Sequence, residues 1–586
     1  MLATKSVKLL LQILKTIPRW LIVAGIVSCL FTLLFCWLIQ NHTLEDISWI
    51  FLFTTAGVLA AFFPVLLFRW LRGRLTRKRL LFSLGTLAIV VFLFYAEEDL
   101  RGWLTWDHFK QQAEAQGERF DYASIVPPPV PDDKNFALTP VVASTYEYLF
   151  TTNGKPVIPH KTNVVDRLAI DGARQHDWEN SPTNRDWRLG AFTDLKAWQA
   201  YYRTPSTNSW VDTNEFPVAV QPQAPAADVL LALNKHTPTL DELLQASLLP
   251  YSRFPLVYDS EHPFALLLPH LSGLKRCVLV LQLRTLAELE LGESDKALND
   301  VKFSFRLVES TRTEPFLISH LVRVACLQIL MQPIWEGLNR HQWSEAQTEE
   351  IQRELGKLDF LTDCNLAMRG ERNQWLAFIE HLRRNRSYDE IRGLFFFNGF
   401  GEVQHREWKE FPFVALYHLA PDGWFYQNEV VAAKLDQKFW LRMADPTNHL
   451  AYPAIVARAQ GAIYSMPLRP GNSITRMLLP ALGAVEQKLA NAQAMADLAQ
   501  VACALERYHL AHGDYPEKLD VLMPQFIAQI PHDVIGGKPL HYHRIDGGKF
   551  ALYSIGWNET DDGGQIGLNN YGRFTIELGD WVWPNP

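Results

Sequence analysis

Three apolar runs without a charged residue fill most of the first hundred positions of this 586-residue chain. They cover residues 20–39, 49–68 and 80–96, and each is about long enough to cross the hydrocarbon core of a membrane as a helix. The alternative is a set of buried helices in a soluble domain, but three uncharged runs in succession are rare in such folds. The sequence therefore predicts a membrane anchor with three transmembrane helices in residues 1–96.

Basic residues flank these runs on alternate sides. Lys and Arg precede the first run and are frequent in the loop between the second and third runs. The loop between the first and second runs has no Lys or Arg, and its charged residues are Glu45 and Asp46. Because positive charge stays in the cytoplasm, we expect a multi-pass protein of the bacterial inner membrane with residues 97–586 outside. Residues 1–80 carry a net charge of +8 and the remainder −15. Since the predicted extracytoplasmic part is acidic, nucleic acid is not an expected partner, whereas the apolar runs make the bilayer one.

Residues 97–225 are predicted to form an extended, irregular segment. A helix that leaves the membrane is predicted at its start, ending near Gly117, and one more helix is predicted at 194–203. The stretch "PPPVPDDKNF" at 127–136 holds four prolines in five positions, which favours an extended polyproline-type strap. Such a strap is either a ligand for a proline-binding module or a stiff arm packed on its own domain, and an extracytoplasmic location favours the arm. Aromatic residues are frequent in 137–225, so we expect ordered, irregular wrapping.

Residues 226–470 have a strong helical pattern. Helices are predicted in pairs joined by short turns, which favours a solenoid-like α-helical domain, although no full repeat consensus is met. Gly292 is placed to end the first helix, and Ser344 with Gln347 forms a capping box at the fourth. The predicted helices lie within 267–292, 293–310, 313–338, 344–355 and 363–384.

Residues 471–586 are predicted to form a small α+β domain. A long helix over 474–512 carries one apolar face, with Glu486, Lys488, Asp497 and Arg507 on a polar face, and Gly513 ends it. Strands follow, and in the last of them apolar and polar residues alternate as in a half-buried strand. The predicted strands cover 539–544, 549–555 and 573–578.

The order of motifs in this segment resembles the globular head of type II secretion major pseudopilins. "ALERYHLAHGDYP" ends the helix, and "IPHD", "GKPLHY" and "FALYSIGWNETDDGG" follow. The resemblance covers residues 475–570 and implies a small antiparallel sheet with a calcium-binding acidic loop. No apolar stalk leads into the helix, so the chain is not expected to polymerise like a pilin. The whole chain also resembles uncharacterised bacterial multi-pass membrane proteins.

The acidic loop "GWNETDDGG" at 556–564 crowds four oxygen-bearing side chains between two predicted strands. Calcium takes six to eight oxygen ligands from carboxylates, amides and carbonyls, and the resemblance implies such a site here. The alternative is an acidic, solvated hairpin turn in which Gly563 and Gly564 supply unusual backbone angles. The candidate calcium ligands are Asn558, Glu559, Asp561 and Asp562.

Other candidate sites are weaker. The chain has no G-x-S-x-G, H-E-x-x-H, Walker or dinucleotide-binding motif. His541 and His543 would share one strand face, either as metal ligands or as exposed polar residues, and His509 and His512 are expected at the surface. Arg369, Glu371 and Arg372 are either a charged cleft or an ion-pair set within one helix.

Two function hypotheses follow. The first is a membrane-anchored extracytoplasmic scaffold that docks an envelope protein, with a link to secretion or surface assembly. The second is an extracytoplasmic hydrolase with a cleft between the helical region and residues 137–225. Missing nucleophile motifs favour the scaffold, although many active sites leave no local signature.

Overall fold

The computed structural model describes residues 77–147, 166–174, 181–182, 186–204, 216–258, 263–386, 391, 411–479, 482–545 and 547–585. In this part of the chain the fold is mainly helical, as predicted. The contacts between Cα atoms divide the chain into two units, Met1–Ala96 and Glu97–Pro586. The predicted spans at 20–39 and 49–68 lie outside the described residues.

Helix α1, Arg77–Glu114, contains the third predicted span. Large apolar side chains of this span point to solvent, and Phe92 is 69% exposed. An exposed apolar surface of this kind is typical of an interaction surface, and it is consistent with the predicted third span. The other exposed apolar residues of the span include Leu81, Leu84, Leu87, Ile89 and Leu93.

Five helices form the centre of the Glu97–Pro586 unit and pack against one another. Each predicted helix of this region is present. The capping box of Ser344 and Gln347 is confirmed, and Gly292 follows the first helix at a φ of 76°. The bounds are α6 Pro269–Glu290, α7 Ser294–Glu309, α8 Leu317–Asn339, α9 Glu345–Leu355 and α10 Phe360–Asn385.

Among the described residues, one helix, α8, is long and apolar enough to cross a membrane. However, 67% of its most apolar window is buried inside the fold, which is typical of the core helix of a soluble unit. Three transmembrane helices at the N-terminus therefore stay a prediction.

The proline-rich and irregular segment wraps this centre. Its buried residues Val141, Trp187 and Trp198 belong to the same hydrophobic core as α6 to α10. Trp187 also contacts Trp583 near the C-terminus, with ring centroids 5.2 Å apart. The helices that precede α6 are α2 Pro140–Glu147, α3 Leu195–Arg203, α4 Pro225–Leu233 and α5 Thr237–Ala246.

In the described residues between α10 and position 480 there are four shorter α-helices, and the second of them packs against α10. A two-stranded antiparallel sheet, β1 Ala444–Asp445 and β2 Leu450–Ala451, lies among them. The helices are α11 Phe411–His418, α12 Asp422–Lys438, α13 Pro453–Ser465 and α14 Ser473–Leu478.

Helix α15, Leu482–His512, is buried on nearly all sides, so the predicted polar face is wrong. Helices α8, α9 and α10 cover one side, and strands from the C-terminal region cover another. Glu486, Asp497 and Arg507 are buried, and Lys488 is exposed. The buried groups have partners on other elements: Nε2 of His449 lies 2.8 Å from the Asp497 carboxylate, for example.

The C-terminal strands form two small antiparallel sheets. The order in the three-stranded sheet is β3-β4-β7, and β5 pairs with β6. The predicted alternation of buried apolar and exposed polar residues along β6 is wrong at Leu578, which is exposed. Strand β6 pairs with β5 in the small two-stranded sheet, which leaves this side chain uncovered. The bounds are β3 His541–Ile545, β4 Lys549–Ser554, β5 Ile566–Leu568, β6 Phe574–Gly579 and β7 Trp581–Trp583.

Candidate ligand-binding sites

Asp561 has more polar contacts than the other carboxylates of the acidic loop. Its Oδ1 accepts hydrogen bonds from the Tyr553 hydroxyl at 3.1 Å and from the Gly563 amide at 3.0 Å. Nδ1 of His541 lies 3.4 Å from the other oxygen. The Gly563 backbone N–H lowers the pKa of Asp561, so this side chain is ionised at neutral pH.

The other candidate ligands take part in turn contacts. The side-chain NH₂ group of Asn558 donates a hydrogen bond to the Asp562 carboxylate at 2.8 Å. The side-chain oxygen of Asn558 accepts a hydrogen bond from the backbone N–H of Thr560 at 3.1 Å. Glu559 has a positive φ of 57°. Asp580, which the sequence analysis missed, is fully buried and accepts the backbone N–H groups of residues 562 and 564 at 3.2 and 2.6 Å.

The loop connects β4 to β5, which belong to different sheets, so it is not a hairpin turn. Gly563 and Gly564 have φ values of 71° and 80°, as their predicted turn role requires. In the described ranges, no group of three or more His, Cys, Asp or Glu side chains is placed to hold a metal ion. Calcium binding at Asn558, Glu559, Asp561 and Asp562 stays a prediction.

The candidate histidines differ in their surroundings. His541 stacks on Tyr553, its cross-strand partner, with ring centroids 4.8 Å apart, and His543 is exposed. His512 is exposed as predicted. His509 stacks between His341 and Tyr515, with ring centroids at 4.8 and 4.7 Å, so it is half-buried and less exposed than predicted.

The charged set on α10 reaches other elements. Arg369 and Arg372 both pair with Glu118, at 3.2 and 2.7 Å, which excludes an ion-pair set confined to one helix. Glu371 faces an apolar cavity of about 390 Å³ beside Phe316 and Trp375. Burial raises the pKa of Glu371 to about 7.

Two adjoining cavities follow the proline strap. Their volumes are about 600 and 450 Å³, and both are bounded by Pro127, Pro128, Arg312 and Thr313. We call this continuous feature the arginine groove. Its arginines come from four separate parts of the chain: Arg119, Arg253, Arg306 with Arg312, and Arg369.

The groove is cationic because its own carboxylates are already compensated. Glu309 and Asp363 both pair with the fully buried Arg323, and Asp363 also pairs with Arg312 at 3.1 Å. Within the described residues, Arg119, Arg253 and Arg306 form no ion pair. Three guanidinium groups therefore remain available to an anionic ligand.

Two buried asparagines fix the strap at the edge of this groove. Asn135 donates to the Arg253 carbonyl at 2.8 Å and accepts the Arg253 amide at 2.9 Å. Asn373 donates to the carbonyls of Arg119 and Asp121 at 3.1 and 3.2 Å. The sequence analysis missed both, since no local pattern indicates a partner more than a hundred positions away.

Comparisons with protein-family models, with curated proteins and with solved structures found no match to this chain.

Proposed function

We propose that this protein is a membrane-anchored extracytoplasmic scaffold of the bacterial envelope that binds an acidic segment of a partner protein in the arginine groove. The observation that carries the proposal is the row of guanidinium groups without an ion pair at Arg119, Arg253 and Arg306. Residues beyond 80 carry a net charge of −15, so a local cationic groove is a selective feature of an otherwise acidic surface.

Anchoring is supported by two independent features. The apolar side chains of α1 between residues 81 and 93 are exposed, and basic residues alternate with acidic residues around the three apolar runs. The positive-inside rule then leaves residues 97–586 outside the cytoplasm. The pseudopilin-like motifs support a partner in secretion or surface assembly.

An extended acidic peptide fits the groove better than a compact anion. The two cavities adjoin, and the arginines are distributed along both of them. Arg253 also donates to the Pro127 carbonyl at 3.0 Å, which holds one guanidinium against the strap. Arginine forks bind carboxylates in bidentate pairs, so successive Glu or Asp side chains match this arrangement.

A defined peptide tests the proposal. Fluorescence anisotropy of labelled octaglutamate with the full chain in detergent is expected to show saturable binding that weakens with salt. Arg119→Glu with Arg306→Glu is expected to weaken it at least tenfold. Arg442→Glu with Arg458→Glu, which makes the same charge change at two exposed arginines outside the groove, is the matched control. Equal affinity of the double variant and the wild type would overturn the groove as the site.

Cross-linking in cells extends the same test. A photoreactive residue in place of Thr313, which is exposed and borders both cavities, is expected to capture an envelope protein. The adduct should disappear in the Arg119→Glu and Arg306→Glu background. An adduct that persists there would show that the partner contacts this surface without the arginines.

The hydrolase alternative has weaker support. Ser319, His270 and Glu314 do lie together, with Nε2 of His270 2.7 Å from the Glu314 carboxylate. However, Ser319 donates to Glu314 and not to the histidine, and all three side chains are buried. A serine nucleophile needs a histidine that takes its proton and a path for substrate. Turnover of an ester, peptide or glycan by the purified chain would restore this alternative.

A further inference from the structure

A further cavity, which shares no lining residue with the arginine groove, lies between α1, the segment around residues 120–122, α10 and α12. Its volume is about 470 Å³, which is within the range of small-molecule sites. We call it the aromatic cavity because Trp103 and Trp106 border it from α1, and Tyr426 borders it from α12. Trp103 is 48% exposed, so part of its ring is accessible to a ligand.

Glu429 on α12 is the unusual group of this cavity. Its side chain borders the cavity but is only 3% exposed, and it makes no hydrogen bond to any described residue. An unpaired buried carboxylate is very costly, and burial raises the pKa of Glu429 well above its ordinary value. The raised pKa favours the neutral carboxylic acid, which offers one hydroxyl donor and free acceptor sites.

The neighbouring carboxylate is held in the opposite state. Glu380 pairs with Arg383 and Arg384, each at 2.7 Å. Since these guanidinium groups already occupy its oxygens and lower its pKa, Glu380 is ionised and poorly suited to act as a base. This excludes a simple acid–base pair of Glu429 and Glu380, and it leaves Glu429 as a hydrogen-bonding group for a ligand.

The rest of the wall combines charges of both signs. The wall carries three ionisable carboxylates besides Glu429, namely Asp107, Asp121 and Glu380, and two cations, Lys110 and Arg384, so charges of the two signs nearly balance. A strongly charged ligand gains little in such a site, whereas a ligand with many hydroxyl groups finds both donors and acceptors. The indole rings add apolar surface suited to the C–H faces of a sugar ring.

We propose that the aromatic cavity binds a neutral, hydroxyl-rich ligand of one or two sugar rings, with Glu429 as its buried hydrogen-bonding partner and Trp103 and Trp106 against its ring faces. This is a second binding function, independent of the anionic ligand of the arginine groove.

Titration of the full chain with maltose, cellobiose and N,N′-diacetylchitobiose tests the proposal, in a detergent without a sugar headgroup. At least one disaccharide is expected to bind saturably and to change tryptophan fluorescence. Glu429→Leu is expected to weaken binding at least tenfold, and Glu429→Gln, which restores a donor and an acceptor, to recover part of that loss. Tyr464→Ala, on an exposed aromatic of α13, is the control.

Two results would overturn the proposal. The first is no saturable binding of any of the three disaccharides by the wild type. The second is tight binding of a cation such as spermidine that strengthens with pH and is lost in Glu429→Gln, which would make the cavity a cation site. If Glu429→Leu does not fold, Trp103→Ala replaces it, because that half-exposed side chain is removable without opening the core. Unchanged disaccharide affinity in Trp103→Ala would then count against the site.

Discussion

The backbone of Gly423 lies against the carbonyl oxygen of Glu98, so close that a β-carbon at 423 would fall 1.9 Å from that oxygen. A second residue of α1 also approaches Gly423 closely, since a β-carbon at Gly102 would fall 2.4 Å from the Gly423 oxygen. The Gly423 amide also donates to Asp99 at 2.9 Å, and the Trp424 indole donates to Glu98 at 3.1 Å. Helix α1 is therefore held to α12 by backbone contacts that only glycine allows.

Gly423→Ala is expected to destabilise the protein by about 1–3 kcal/mol, because the added methyl group must displace backbone and not a flexible side chain. The thermal midpoint of the full chain in detergent should fall. Gly461→Ala is the matched control: Gly461 lies in α13 with nothing within 4 Å of the added carbon, so a neutral or slightly stabilising effect is expected. Equal midpoints for the two variants would contradict the close contact.

Glu486 is expected to make stability depend on pH. It is fully buried in α15, it accepts a hydrogen bond from Sγ of Cys364 at 2.7 Å, and burial raises its pKa to about 7. A carboxyl whose folded-state pKa is raised contributes stability below its unfolded pKa of about 4.5, and this contribution is lost as pH rises through about 7.

Glu486→Gln keeps the side chain neutral and should remove this part of the pH dependence. Relative to wild type, the variant should gain up to about 3 kcal/mol of unfolding free energy between pH 5 and pH 8. Denaturant unfolding at both pH values measures the difference. Glu517→Gln changes an exposed carboxylate and should leave the profile parallel to that of wild type. A parallel profile for Glu486→Gln would mean that Glu486 is ionised in the folded protein.

Local patterns predicted the helices well but not the sites. Ser344 and Gln347 lie three positions apart and define the start of α9 by themselves, and the capping box is present. The polar residues of α15 were misassigned because Asp497 has its partner in His449, outside the helix. A face with buried, paired polar groups has the same sequence pattern as a solvated face.

The arginine groove was not predictable for a related reason. Its cationic groups come from positions 119, 253, 306 and 369, and they share no spacing that sequence analysis can detect. The charge of the groove also depends on Arg323, which pairs with Glu309 and Asp363, the two carboxylates of the groove wall. Such compensation is visible only once the tertiary contacts are known.

The acidic loop gives a calcium prediction. Millimolar calcium is expected to raise the thermal midpoint of the full chain, since extracellular sites bind at roughly 10⁻⁴–10⁻³ M. Asp561→Ala with Asp562→Ala should abolish the rise. The full chain is the proper sample because α15 shares its core with α8 to α10. Magnesium at the same concentration is the control, and no calcium-specific rise in wild type would leave the loop as a hydrogen-bonded turn.

Topology is testable without purification. The alternation of basic and acidic flanks predicts that the C-terminus lies outside the cytoplasm and that the loop at 69–79, with its six basic residues, lies inside. Alkaline phosphatase folds only where its disulfides form, so a fusion after residue 586 should be active and a fusion within 69–79 inactive. A cytoplasmic fluorescent reporter should give the opposite pair of results. Active phosphatase at 69–79 together with inactive phosphatase at 586 would reverse the orientation, and with it the expectation that the arginine groove meets an envelope partner.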